Sequence, residues 1–139
     1  MALVSEDCTI EGQLRLTGGE NNQEGTVQMC LGGLWGTVCD DFWGLKDAQV
    51  VCRQLGYNTN GIERFMSNLL LPYHYAGALA FSSAHFGQGI GAVYFDNVHC
   101  NGNEMTLMNC NHLNQSNCEH SADAGVRCQG LLYFGLVAL

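Results

Sequence analysis

Leu34-Trp35-Gly36-Thr37-Val38-Cys39-Asp40-Asp41, then Trp43, then Asp47-Ala48-Gln49-Val50-Val51-Cys52-Arg53-Gln54-Leu55-Gly56, is the stretch that decides the fold. Its first part is one arm of a hairpin. Thr26–Leu31 carries Val27 and Met29 on one face, Gly32-Gly33 supplies a tight turn, and Leu34–Val38 returns. Its second part is a helix over Lys46–Leu55. Ala48, Val51, Cys52 and Leu55 recur at the spacing of one helical face. Asp47 sits in the first turn, where a carboxylate complements the helix dipole. Gly56 follows the last apolar residue as a C-terminal stop. Cys52 lies on the apolar face, positioned to tie the helix to the core.

Working outward, Gln13–Thr17 alternates as a short strand, and Gly18-Gly19 with Asn21-Asn22 makes a turn-rich loop. Asn58–Ala84 is less regular. Phe65, Met66, Leu69 and Leu70 before Pro72 are either a turn or two of amphipathic helix or loop packed on the core. Gly87, Gly89 and Gly91 punctuate a turn ahead of a buried strand at Ala92–Val98. Asn103 is positioned to cap a short helix over Glu104–Cys110. Gly125–Cys128 is the last structured stretch. There is no internal repeat and no low-complexity linker. Interleaved strands with two short helices predict an α+β fold built on an antiparallel sheet.

The chain has 139 residues, the size of one domain. That length can bury roughly two-thirds of its unfolded surface, so size alone does not call for cross-links. It nevertheless carries eight cysteines alongside a single lysine and one proline, which points to an oxidising compartment. The close Cys pairs of structural zinc sites are absent. Thirteen acids against five bases give a net charge of −8. The bases Arg15, Lys46, Arg53, Arg64 and Arg127 are scattered singly. Nucleic acid binding needs clustered cations and is excluded on this ground. An acidic chain draws cationic partners or divalent ions instead. Residues 1–7 lack the apolar core of a signal peptide. Leu131–Leu139 is almost wholly apolar, but nine helical residues span only about 14 Å of a hydrocarbon layer of about 30 Å. That tail is a clipped membrane segment, a final strand or a cloning scar. Any membrane attachment would come through parts of a parent protein outside this chain.

Three further motifs follow the deciding stretch in order. They are Phe86-Gly87-Gln88-Gly89, then Phe95-Asp96-Asn97-Val98 ahead of Cys100, then Asp123-Ala124-Gly125-Val126-Arg127-Cys128. Together, over Gln13–Cys128, these segments resemble the scavenger receptor cysteine-rich family. The resemblance implies a curved antiparallel sheet cradling one main α-helix, stapled by Cys39–Cys118, Cys52–Cys128 and Cys100–Cys110. Spacing alone leaves 105 pairings of eight cysteines. Gln23 and Tyr57 stand where the family's eight-cysteine group carries two more cysteines, so the chain is similar to the six-cysteine group. Cys8 and Cys30 are then extras. Strand neighbours lie about 5 Å apart, within disulfide reach. A fourth bond, Cys8–Cys30, is expected to pin the N-terminal arm, with an intermolecular bond or a free thiol as the alternative. The organisation expected is an arm over 1–12, the domain over 13–128 and a tail over 129–139. Within the domain, the loop 57–79 is expanded relative to the family. Loops on rigid scaffolds carry recognition, which makes Tyr73, His74 and Tyr75 ligand-contact candidates. The alternative is that this loop only covers the sheet.

The resemblance also implies cation sites. Calcium and magnesium take oxygen ligands, and adjacent carboxylates repel unless a cation or donor intervenes. Asp40 and Asp41 match one family site. The family's third carboxylate is replaced by Ala122, leaving Asp123 or Glu119 to substitute. A second family site maps onto Asp47, Asp96 and Asn97. Weak calcium or magnesium binding is expected. The alternative is that these acids cap turns and the helix. The family binds proteins and polyanionic or microbial ligands. With so few bases, a cation-bridged or protein–protein contact suits this chain better than a basic patch. No enzyme is expected. Ser82, Ser83 and His85 lie close in sequence, but no nucleophile signature surrounds them. The five histidines lack a metalloprotease pattern. Asn114-Gln115-Ser116 is an N-glycosylation sequon in a polar loop. The expected function is an extracellular ligand-binding module, secreted or part of a receptor ectodomain. Rival functions are a self-associating adhesive module, which would form an oligomer, and a non-catalytic accessory domain of a larger secreted enzyme.

Overall fold

The computed structural model describes residues 6–57, 59 and 77–129. The candidates Tyr73, His74 and Tyr75, the Phe65–Leu70 segment and the apolar tail fall outside the described residues. Strands β1 (Leu14–Gly18), β2 (Glu24–Leu31) and β3 (Leu34–Val38) come first, then helix α1 (Leu45–Gln54). Strands β4 (Ala78–Phe81), β5 (Val93–His99), β6 (Asn111–Leu113) and β7 (Gly125–Cys128) follow. One curled sheet runs β4-β7-β2-β3-β5-β6, with β1 paired to β2. Among the described residues no helix is long and apolar enough to cross a membrane.

The β2–β3 hairpin closes through Gly32 (φ 62°) and Gly33 (φ 84°), with Leu31 opposite Leu34. Two successive positive φ values define the two-residue turn whose twist suits a hairpin, and glycine takes them without strain. The sheet is antiparallel except at β3–β5, which pair in parallel. A parallel pair needs a long crossover, and here the connection carries α1 and β4.

Strand β2 is buried along almost its whole length because both sheet faces are covered. Val27 and Met29 join the core cluster with Val50, Val51 and Cys52 of α1. On the other face, the Thr26 hydroxyl donates to the Gly87 carbonyl at 2.6 Å. A side chain at Gly89 would strike Thr37 and Gln28, so glycine lets this loop lie flat on the strands. The glycine-rich motif is thus a lid over the outer face.

Four disulfides staple the molecule: Cys8–Cys30, Cys39–Cys118, Cys52–Cys128 and Cys100–Cys110. Cys52–Cys128 ties α1 to β7, and Cys8–Cys30 ties the arm to β2. Residues 6–12 are hydrogen-bonded along the hairpin, through Trp35 N–H to the Glu6 carbonyl and Cys8 N–H to the Gly33 carbonyl. Arg15 clamps the arm from the side. Its guanidinium bonds Glu6 at 2.7 Å and lies 4.2 Å over the Trp35 ring.

The expected helix at Glu104–Cys110 is instead a loop with a single 3-10 turn, Leu107–Asn109. Two side chains hold the loop open. Glu104 accepts from the Asn101 and Gly102 N–H groups, and Arg53 donates to the Gly102 and Glu104 carbonyls. Of these groups only the Glu104 carbonyl lies within the expected helix, and it already accepts from Arg53. Asn103 therefore caps nothing.

Candidate functional site: an acidic edge beside a disulfide

Asp40 and Asp41 leave the end of β3, immediately after Cys39. Asp96 lies on β5, the parallel neighbour of β3, so the pairing carries its carboxylate toward Asp41. Carboxylate oxygens of Asp41 and Asp96 and the sulfurs of Cys39 and Cys118 lie within 4.8 Å of one another. Disulfide sulfur has no proton to donate, so the 3.8 Å approaches of Cys118 Sγ to both aspartates are contacts and not hydrogen bonds. Asp41 is held above the usual carboxylate range by desolvation first, then by the charge of Asp96 and the hydrogen bond between the two carboxyls, and last by Asp40.

The other expected ligands are engaged elsewhere. Asp40 accepts from the Ser83 N–H at 2.7 Å and so clamps the strained turn Ser83-Ala84, where two non-glycine residues have positive φ. Asp123 is fully buried and faces inward. It accepts from the Gly89 N–H at 2.7 Å and sits 2.9 Å from His120 Nδ1, whose Nε2 donates to the Gly91 carbonyl. Asp47 is buried at the start of α1, where it accepts from the Gly44 and Cys100 N–H groups, both at 2.8 Å. Burial is the main influence on its carboxyl and raises its pKa. Asn97 has φ 53° and donates its backbone N–H to Asp96.

The structure therefore regroups the two expected cation sets. One member of each, Asp41 and Asp96, meet, while Asp40, Asp47 and Asp123 hold the framework. Disulfide sulfur is not a thiolate and makes a poor ligand, so two carboxylates remain. They fit a weakly held calcium or magnesium ion that completes its shell with water or ligand oxygens.

One neighbour escaped the sequence reading. Phe42 is 65% exposed with φ 65°, and its ring lies 4.7 Å from that of His99. A bulky residue in this backbone region signals strain held for a reason. The available signal was an aromatic wedged between an acid pair and Trp43. The sequon residue Asn114 is exposed just after β6. Its Oδ1 lies 3.0 Å from His112 Nε2, and the His112 ring stacks on Phe95 with centroids 3.6 Å apart. His85 packs its ring against Phe81 and Phe86, and its backbone alone meets Ser82.

A disulfide-stapled curled sheet cradling one helix, with an acidic edge at its surface, defines a class of small binding modules. The family model described as "Scavenger receptor cysteine-rich domain" matches residues 17–129. This chain belongs to the scavenger receptor cysteine-rich family. The solved third domain of this type from murine neurotrypsin is 43% identical, with a TM-score of 0.67 over 86% of this chain and 97% of that one. The domain of mouse MARCO, solved in a dimeric form, is 36% identical, with a TM-score of 0.59 over 82% and 92% of the two chains. Domains of this family are extracellular recognition modules and typically non-catalytic.

Proposed function

We propose that this chain is an extracellular recognition module that docks proteins, or polyanionic and microbial surfaces, through the Asp41–Asp96 edge with a divalent cation as bridge. The supporting observation is the convergence of two carboxylates, one from the turn after β3 and one from β5, onto one disulfide. Their repulsion is relieved by calcium or magnesium, and the ion in turn offers open positions to a ligand's oxygens. Ala122 withholds a third carboxylate, so affinity for the ion alone is weak. The scattered bases leave the ion as the better route to an anionic ligand. Tyr73, His74 and Tyr75 of the expanded loop are proposed as further contacts. Thermal melts of the parent and of Asp96→Asn in calcium, magnesium or chelator test the reading. The parent should melt higher in calcium and Asp96→Asn should not respond. A parent that ignores both ions overturns it.

A second reading is self-association, supported by the likeness to a domain solved as a dimer and by exposed Phe42 and Leu113. Size-exclusion chromatography with and without calcium separates the two.

A further inference from the structure

A polar depression of about 250 Å³ opens where β1 ends and β2 begins, walled by Gly18-Gly19-Glu20 on one side and His85-Phe86 on the other. Glycines make it. A side chain at Gly18 would lie 2.1 Å from the Phe86 carbonyl, and one at Gly125 would strike the Phe86 ring. A second depression of about 300 Å³, with Asn21 and Gln23 in its wall, shares Glu24 and Arg127 with the first. Arg127 lines both. Its Nε donates to Glu24 at 2.8 Å, and its guanidinium carbon lies 5.0 Å over the Phe81 ring. Both contacts fix the guanidinium. Among the described residues its two Nη groups have no hydrogen-bond partner, so they form a preorganised donor edge.

We infer that this two-lobed depression binds an uncharged saccharide. Sugar hydroxyls need donors and acceptors side by side on planar groups, and sugar C–H faces need a ring. The walls supply the Arg127 Nη groups and the Asn21 carboxamide as donors, the Glu20 carboxylate as acceptor, and the exposed His85 ring, edge-on to Phe86 at 4.7 Å. Two depressions of this size fit the small end of ligand sites. Charge disfavours a purely anionic or purely cationic ligand. An anion at Arg127 meets Glu20 and Glu24. Glu24 is held ionised, below the usual carboxylate range, by the Glu20 N–H first and then by Arg127. A cation meets the guanidinium itself. An uncharged polar ligand engages all of these groups without repulsion. The site shares no residue with the Asp41–Asp96 edge and stands independently of the cation reading.

The test is a heteronuclear NMR titration of the whole chain with methyl α-mannoside, methyl β-galactoside, N-acetylglucosamine and a heparin-derived disaccharide. At least one uncharged sugar should saturably shift the Gly19, Glu20, His85 and Phe86 amides and the Arg127 side-chain signal. Both Glu20→Ala and His85→Ala change exposed side chains. Each should leave the rest of the spectrum in place and weaken that sugar about tenfold, which is about 1.4 kcal/mol. No response to any uncharged sugar, a response to the heparin disaccharide alone, or binding untouched in both variants would each overturn the inference.

Discussion

Asp41, in the turn after β3, and Asp96, on β5, bring their carboxylates together against the Cys39–Cys118 disulfide. The pair exists because β3 and β5 run in parallel as neighbours. It stores a repulsion that a proton relieves.

The proton gives the first prediction. The folded chain holds the Asp41 proton more tightly than the unfolded chain, because its pKa is raised. That contribution is present at acid pH, below the unfolded value, and is lost as pH rises through the raised folded value. With chelator present, Asp41→Asn should therefore melt higher than the parent at neutral pH and lose that advantage below about pH 4. Melting curves across pH check it. A variant that melts lower at neutral pH would show that the pair is not repulsive.

Glu24 carries the opposite sign. Its pKa is lowered, by the Glu20 N–H and then by Arg127. Its stabilisation is present above the unfolded carboxylate value and is lost as pH falls through the lower folded one. Glu24→Gln should be less stable than the parent at neutral pH and should flatten the fall in melting temperature between about pH 5 and pH 3.

Asp47 joins the start of α1 to Cys100 through two backbone N–H bonds. Asp47→Ala leaves the buried Cys100 N–H unpaired, a cost of about 1–3 kcal/mol. Denaturant titration should show a lower midpoint with an unchanged slope.

The disulfides should differ in worth by the loop each closes. Cys52–Cys128 spans 76 residues and Cys100–Cys110 spans 10. Chain-entropy arithmetic assigns about 4.5 and about 2.7 kcal/mol respectively. Paired serine substitutions should therefore destabilise in that order in denaturant titrations. Non-reducing peptide mapping should recover Cys8–Cys30 as one linked pair, and an alkylated thiol at either position would contradict the structure.

Asn114 stands exposed beyond β6, in a sequon. Secretion from a glycosylating cell should add a glycan mass that Asn114→Gln and enzymatic deglycosylation both remove. Intact mass spectrometry reads it directly.

The local elements were legible in the sequence for local reasons. Gly32-Gly33 between alternating strands dictates a hairpin wherever it stands. Ala48, Val51, Cys52 and Leu55 dictate a helix facing a core, observed one residue earlier than the pattern placed it. Strands β4 and β6 carried no such signal. Ala78–Phe81 and Asn111–Leu113 are strands because β7 and β5 offer them unpaired edges. Asn103 pointed to a capped helix over Glu104–Cys110, yet Arg53, 51 residues from Glu104, donates to the Glu104 carbonyl and the segment stays a loop.

The candidate site divides in the same way. The adjacent acids Asp40 and Asp41 stood out by their own chemistry, and the family resemblance added Asp47, Asp96 and Asp123 as ligand candidates. Only the tertiary structure decided which partner each received. Asp123 is turned inward onto His120 and Gly89, Asp47 onto Cys100, and Asp40 onto Ser83. Asp41, exposed, and Asp96, buried, 55 positions apart, meet beside the Cys39–Cys118 disulfide. Strand pairing and burial act between residues distant in the chain, and one-dimensional spacing carries no record of either.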